Sequence, residues 1–390
     1  MKNKVIYADN AATTGICHEA LVEMWPYLLG EYGNPSSAHV MGRKALEAIE
    51  LSRHVIAKCI GADSEKEIIF TSGGTEADNQ ALRSGASLGN TRRKRHIITT
   101  AIEHHAVLET VDQLQEEGCS VTKLGVDRRG VVDVGDFVNA IRLNTIMASV
   151  MMANNEVGTL EPIGTIGKLC REKSILFHTD AVQAAGHVPI DVNELCVDML
   201  SMSAHKFHGP KGVGVLYVRE GCPVYPIIFG GGQERGMRSG TENVAGIVGM
   251  AAALAAACDK MAEVTMKVTH LRNKLIEAVV ETVPKCSVTV ERGRSLPGIA
   301  SFCFAGIEGA SLVLRLDADG ICASAGSACT TGTLEPSHVL QAMGVPEDRI
   351  NGALRISLDE NNTEQDVDAI AHSIIQNVEA LRRMSGTWRG

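Results

Sequence analysis

No two of the eleven cysteines stand in a Cys-x-x-Cys arrangement; they fall at 17, 59, 119, 170, 196, 222, 258, 286, 303, 322 and 329. That scatter and odd total exclude a ready-made zinc or iron–sulphur cradle, and fit reduced thiols buried in apolar segments rather than a disulfide framework. No metal is expected. There is no Gly-x-Gly-x-x-Gly turn and no P-loop lysine–serine pair, so the main fingerprints of dinucleotide and nucleoside triphosphate sites are missing. Basic residues are outnumbered 46 to 37, a net charge of −9, which argues against nucleic acid or an anionic membrane as partner. The one basic run, Arg92-Arg93-Lys94-Arg95, reads as a solvated loop. The apolar run before Tyr7 is too short for a signal peptide, and no window reads as a membrane span. The richest apolar stretch, Ala245 to Cys258, is mostly alanine with glycine and reads as a closely packed helix. Internal repeats and low-complexity segments are absent. A soluble, cytoplasmic protein is the expectation.

What is present is length and alternation. At 390 residues the chain is long enough for two domains. From about 67 to 260, apolar runs (Glu67–Thr71, His96–Thr100, Thr145–Ala153) alternate with helical patterns, which predicts an α/β fold with a mostly parallel, doubly wound sheet. Beyond 260 the pattern changes to a long helix over Met261–Thr282, strands near Ser287–Val290 and Ile299–Phe304, a helix over Ala310–Leu316 and a last one over Thr363–Met384. That is a smaller α+β domain. The expected division is a large domain over 15–258 and a small one made of 1–14 and 259–390.

Two stretches carry the chemistry. His178-Thr179-Asp180 follows Ile175-Leu176-Phe177, and Ser203-Ala204-His205-Lys206 follows Met199–Met202. In a parallel sheet both would deliver their charged side chain at the carboxyl edge, where ligands of α/β folds bind. Each alone is ordinary, since most lysines are solvated and most such aspartates cap a helix. Together an amine and a carboxylate suit pyridoxal phosphate, whose aldehyde forms a Schiff base with lysine and whose ring nitrogen needs an acid. Lys206 lies between an apolar strand and Gly209-Pro210-Lys211-Gly212, so partial desolvation should favour its neutral, nucleophilic form. Ser72-Gly73-Gly74-Thr75-Glu76 precedes a helix and offers bare amides to a single phosphate, or is only a tight turn. His104 at another strand end could stack on a ring or merely cap a helix. Asn155 could meet a ring hydroxyl or sit in a plain turn.

Asp9-Asn10-Ala11-Ala12-Thr13-Thr14, Gly33-Asn34-Pro35-Ser36-Ser37, Thr71–Glu76, Asn154-Asn155-Glu156-Val157-Gly158, Ser203–Lys206, Arg235–Thr241 and Ser324-Ala325-Gly326-Ser327-Ala328-Cys329 occur in one order across nearly the whole chain. This set resembles the cysteine desulfurases of the NifS/IscS group, fold type I pyridoxal enzymes.

The resemblance implies roles. Lys206 would hold the cofactor, Asp180 would pair with the ring nitrogen, and His104 would stack on the ring and move protons. Asn155 and Gln183 would lie near the ring hydroxyl. Thr75, Ser203 and His205 would hold the phosphate with the Gly74 and Thr75 amides, and Thr241 would reach the phosphate of a neighbouring subunit in a homodimer. Arg355, helped by Asn34 and Asn155, would clamp the carboxylate of L-cysteine, a planar task suited to guanidinium. Cys329, in a Ser/Gly/Ala-rich loop whose composition suits a mobile arm, would take the sulphur as a persulfide and release L-alanine. An iron–sulphur scaffold or other sulphur-acceptor protein is the implied partner. A selenocysteine lyase or another fold type I pyridoxal enzyme is the alternative. Gly15-Ile16-Cys17-His18 departs from the family's proline-containing turn and leaves the entry to the first helix open.

Overall fold

The computed structural model describes residues 5–289, 293–325 and 336–385. Cys329 and most of its loop lie outside the described residues. The chain opens with β1 (Ile6–Tyr7), α1 (His18–Leu29) and α2 (Val40–Cys59). Strand and helix then alternate through β2 (Ile68–Thr71), α3 (Gly74–Arg92), β3 (His96–Thr100), α4 (His105–Glu116), β4 (Ser120–Leu124) and α5 (Val134–Ala140). β5 (Thr145–Ser149), α6 (Ile163–Glu172), β6 (Leu176–Asp180), β7 (Met199–Ser203) and β8 (Gly214–Val218) follow.

These strands form one seven-stranded sheet in the order β2-β8-β7-β6-β5-β3-β4. All pairs are parallel except those of β8, which runs antiparallel to β7 and β2. β2, β3, β5, β7 and β8 are buried at every position, the pattern of strands covered on both faces. The expected doubly wound sheet is therefore present. Its consequence is positional, because the carboxyl ends of β3, β5, β6 and β7 open on the same edge.

Entry into α1 comes at His18, with Cys17 as a cap residue that makes no side-chain bond. The Cys17 amide instead donates to the His208 carbonyl at 2.9 Å. The two helices expected over Ala245–Cys258 and Met261–Thr282 are a single one, α7 (Val244–Thr282). Cys258-Asp259-Lys260-Met261 holds no glycine or proline to break it. Its first half buries Ile247, Met250 and Leu254 in the core around the large sheet, and its second half buries Leu271, Leu275 and Val279 in another core. The expected boundary at 258/259 falls inside this unbroken helix. By length and composition alone α7 could cross a bilayer, contrary to the sequence reading, but half of its most apolar window is buried in the protein.

The second core belongs to β9 (Cys286–Val288), β10 (Ile299–Phe304), α8 (Gly309–Ala318), β11 (Ile321–Cys322), α9 (His338–Ala342), α10 (Glu347–Ile350), β12 (Ala353–Ser357) and α11 (Glu364–Met384). β12, β10 and β9 form an antiparallel sheet, while β1 pairs in parallel with β11. Helix α11 begins with a Thr363/Asp366 capping box and lays Val367, Ile370, Ala371, Ile374 and Val378 into this core at helical spacing. Among the ten described cysteines only Cys170 and Cys303 are fully buried, so the expectation of buried thiols fails for most. Many of the others stand at element ends, as Cys17, Cys59 and Cys119 do, where packing is incomplete.

Candidate active site

Asp180 ends β6 and Lys206 closes the tight turn after β7, and these two strands are hydrogen-bonded neighbours. Both side chains line one cavity of about 400 Å3, and the expected Gly74, Thr75, His104, Asn155, Gln183, Ser203, His205 and Arg355 line it too. Lys206 Nζ donates to the carbonyls of Ala11 at 2.6 Å and Ala12 at 2.9 Å. The N-terminal segment thus folds over the lysine, and Gln183 Nε2 donates to the same Ala11 carbonyl at 2.9 Å. Asp180 Oδ1 accepts from the Val182 amide at 2.8 Å. Burial pushes the Asp180 carboxyl up to about 6, against the pull of the Lys206 amine.

His104 caps a helix, one of the two readings the sequence left open, and its ring also reaches the cavity. Its Nδ1 accepts from the Ala106 amide at 3.1 Å and caps α4, while the ring lines the cavity. Burial, with the Lys206 charge behind it, lowers the imidazole to about 4, so it is neutral and uncharged near pH 7. His205 is lowered to about 4 for the same first cause, and its Nδ1 lies 3.1 Å from Thr13 Oγ1. Neighbouring Asn154 is structural: its Oδ1 accepts from the Glu156 and Val157 amides and leaves Asn155 to the cavity.

Arg355 enters from β12, in the second core. Its Nη1 donates to the Asn155 carbonyl at 2.8 Å and its Nη2 to Asp9 Oδ1 at 2.9 Å, while its buried Nε has no hydrogen-bond partner. Ser324 Oγ donates to the same Asp9 oxygen at 2.9 Å.

Two expected residues are not brought to this cavity. Asn34 is exposed, its Oδ1 accepting from the Ser36 amide at 2.9 Å. Thr241 is exposed and lines a separate hollow with Ser72 and Arg238. Within one chain neither completes the site. Cys329 lies outside the described residues.

Residues without an assigned role stand close to Asp180, and one of them, Asp78, lines the same cavity. Asp78 is 1 % exposed, its Oδ1 makes no hydrogen bond but lies 3.6 Å from His178 Nε2, and burial together with Asp180 holds its carboxyl well above the usual range. His178 sits between Ser149 Oγ at 2.8 Å and Ser201 Oγ at 2.9 Å, and burial lowers it to about 3. Glu103 is fully buried, accepts from Thr100 Oγ1 and the Met151 amide, and is also held well above the usual range by burial. The signal for Asp78 was its place four residues after Gly74 on the same helix face. Nothing in the sequence marks Asp9 as a neighbour of Arg355.

The Aminotransferase class-V family profile matches residues 6–370. The chain belongs to this family. Among class-V aminotransferases it is 48 % identical over 388 residues to a protein described as cysteine desulfurase IscS from Clostridium botulinum, covering 99 % of this chain and 97 % of that one. Another so described, from Methanosarcina thermophila, is 48 % identical over 384 residues, 98 % of this chain and 94 % of that one. A solved NifS-like protein superposes with a TM-score of 0.90 at 41 % identity, covering 97 % of this chain and all of that one. A structure titled SspA in complex with cysteine gives 0.80 at 36 % identity, covering 90 % and 98 %.

Class-V aminotransferases of this kind use pyridoxal phosphate, and the residues here fit it. A buried carboxyl and an amine face one cavity from adjacent strand ends. The first amides of α3, which follow Gly73, take no side-chain cap. A Cβ at Gly74 would stand 2.6 Å from Val182 Cγ2, so this close approach needs glycine.

Proposed function

We propose the following division of labour for a pyridoxal phosphate-dependent cysteine desulfurase built on these residues. The activity is desulfuration of L-cysteine, and the sulphur leaves to an acceptor. The reading is carried by one observation: Asp180 and Lys206, on neighbouring strand ends, share a cavity with Arg355, whose buried Nε is unpaired. When bound, pyridoxal phosphate supplies an electron sink next to the substrate α-carbon.

The chain's own groups do the rest. Lys206 Nζ anchors the aldehyde and is the base that moves the substrate α-proton. Asp180 holds a proton at the ring nitrogen, and a carboxyl raised by burial is suited to sharing one. His104, uncharged, offers a flat face to the ring. Thr75, Ser203 and His205, with the Gly74 and Thr75 amides, hold the phosphate; Asn155 and Gln183 hold the ring hydroxyl. Arg355 takes the substrate carboxylate, its planar fork kept in place by Asp9 and the Asn155 carbonyl. Cys329 is the sulphur-accepting nucleophile. Its thiolate attacks the substrate sulphur, a sulphur–sulphur bond forms as the carbon–sulphur bond breaks, and the electron pair stays with the fragment that leaves protonated as L-alanine. Thr241, exposed and away from its own chain's cavity, is assigned to the phosphate of a second copy in a homodimer, and Asn34 to the substrate. The two cores are read as two domains joined by α7. The acceptor is an iron–sulphur scaffold or a comparable protein in the cytoplasm.

Peptide mass spectrometry after brief exposure of the holoenzyme to L-cysteine tests the assignment. One extra sulphur atom on Cys329 is expected, absent in Cys329→Ser. Normal sulphur release by Cys329→Ser under reducing turnover would overturn it.

A further inference from the structure

His208 follows the active-site turn by two residues and is held tightly. Its amide donates to Thr14 Oγ1 at 2.8 Å, and its Nδ1 lies 3.1 Å from the Gly15 carbonyl. A carbonyl can only accept, so Nδ1 carries a proton and, in the neutral ring, Nε2 carries the lone pair. His208 is 9 % exposed, and Nε2 makes no well-directed hydrogen bond, although against the pull of burial the Glu360 and Asp359 carboxylates hold the ring above its ordinary value, so a cation has to displace that proton. It points at two carboxylates from the other core, with Glu360 Oε2 at 3.3 Å and Asp359 Oδ2 at 3.8 Å. The three ligand atoms lie within 4.8 Å of one another.

A second feature lies alongside. Asp359 and Glu360 also wall a cavity of about 40 Å3 together with Asn10 and His187. Asn10 is 7 % exposed; its Nδ2 donates to the Ser357 carbonyl at 2.9 Å, but its Oδ1 is buried without a partner. His208 does not line this largely apolar space, walled by Val264, Val268, Leu296 and Ile299, so it holds a water beside the carboxylates and is not itself the seat of an ion.

We propose that His208 Nε2, Asp359 and Glu360 form a binding site for one divalent first-row cation, tying the Lys206 turn to the end of the strand that carries Arg355. The donor set is one imidazole and two carboxylates, which suits manganese, iron or zinc and not a soft thiophilic ion. An imidazole whose far nitrogen donates to a backbone carbonyl is how protein histidines are oriented toward metals. Ligands about 2.0–2.2 Å from a cation are about 3–3.5 Å apart, so the His208–Glu360 distance needs little change. The cationic neighbours are Lys267, whose charged Nζ lies 2.6 Å from the Glu360 carbonyl and opposes a bound cation, and Lys260, which is paired with Glu19; the two ligand carboxylates have to outweigh Lys267, while His187 Nε2 lies 2.9 Å from the Lys206 carbonyl. The expectation of no metal rested on motif spacing, and these ligands come from two distant stretches of chain, which no local motif can reveal.

Manganese binding to the chelator-treated, desalted holoenzyme tests the site, followed by the loss of the free-ion electron paramagnetic resonance signal. Manganese prefers oxygen and imidazole, so the eleven thiols do not compete for it. One ion per chain is expected in the sub-millimolar range, weakened roughly tenfold or more in Glu360→Gln and in His208→Gln. Cofactor absorbance and urea midpoints check that the variants are folded. Glu360 is partly exposed, so its variant keeps the test decisive if His208→Gln fails to fold. No saturable binding in that range, leaving an ion pair only, or undiminished binding in folded Glu360→Gln, overturns the proposal.

Discussion

Arg355 and Asp9 meet across almost the whole chain, Nη2 to Oδ1 at 2.9 Å, and the guanidinium they fix is 6 % exposed. Asp9 is held in turn, since the Asp9 segment runs beside β12: the Asn10 amide donates to the Ser357 carbonyl and the Ser357 amide to Ala8. The same Asp9 oxygen accepts from Ser324, at the start of the segment that leads to Cys329. One acid therefore aims the residue assigned to the substrate carboxylate and tethers Ser324, which precedes the segment containing Cys329.

Asp9→Asn keeps the shape and removes the charge. The KM for L-cysteine should rise about tenfold, the effect of losing roughly one charge-assisted bond, with a smaller fall in kcat. Arg355→Lys should do worse, because a point charge cannot hold Asp9, the Asn155 carbonyl and a carboxylate in one plane. Steady-state sulphide assays decide this; an unchanged KM in Asp9→Asn would remove Asp9 from substrate positioning.

Gly74→Ala should weaken cofactor binding while leaving the fold intact. The added methyl would collide with Val182 Cγ2 at 2.6 Å, in the turn assigned to the phosphate. Trimming the obstacle in Gly74→Ala/Val182→Ala should restore much of the affinity. Absorbance titration of the apoprotein with pyridoxal phosphate measures both, and equal affinities for all three proteins would show that this turn does not approach the cofactor.

Glu161 offers a pH prediction away from the site. It is 7 % exposed, its Oε2 accepts from the Val132 amide at 3.0 Å, its Oε1 is unpartnered, and burial raises the carboxyl to about 7. Unfolded, it ionises near 4.5. Between those values the folded chain binds the extra proton, so stability falls as pH rises through about 7. Glu161→Gln removes that dependence. The variant should gain on the wild type between pH 5 and pH 8, by up to roughly 3 kcal/mol in urea unfolding. A stability difference that stays flat with pH would mean the carboxylate is not penalised by burial.

The parts of this protein legible in the sequence were those written locally. Continuous apolar runs marked β3, β5 and β7, and the end of β6 and the turn after β7 marked Asp180 and Lys206, because in a parallel sheet chain direction fixes which edge a residue reaches. The helix joining the cores was misread as two, since its apolar face changes partner midway and the periodicity fades where it does. Asp78, His178 and Asp9 went unassigned because their meaning lies in contacts: a hydroxyl on a neighbouring strand, a second acid, an arginine far along the chain. The resemblance placed Asn34 in the site, where one chain does not bring it, and Thr241 in the site of a second subunit, which a single chain does not test.

Glu234 makes the last test. It occupies a left-handed backbone position, φ 46°, and its carboxylate takes both ends of the Arg53 guanidinium, Nη1 to Oε2 at 2.8 Å and Nη2 to Oε1 at 2.9 Å. The Phe70 amide adds a third bond to Oε2 at 3.0 Å, and the guanidinium lies 4.8 Å from the Phe70 ring centroid. Arg53 is 3 % and Glu234 5 % exposed, so neither can fall back on water. Glu234→Ala should therefore cost up to about 3 kcal/mol, because it leaves the buried guanidinium only the half-exposed Glu50 at 3.3 Å and the Ile68 carbonyl at 2.8 Å, whereas Arg53→Met/Glu234→Leu should cost clearly less. The bond also anchors the turn that leads to Arg238 and Thr241, so Glu234→Ala should loosen the dimer expected from Thr241 more than the double variant does. Urea unfolding and sedimentation equilibrium read the two effects separately. A single variant within about 1 kcal/mol of wild type would mean water reaches Arg53 and the pair is not the anchor it resembles.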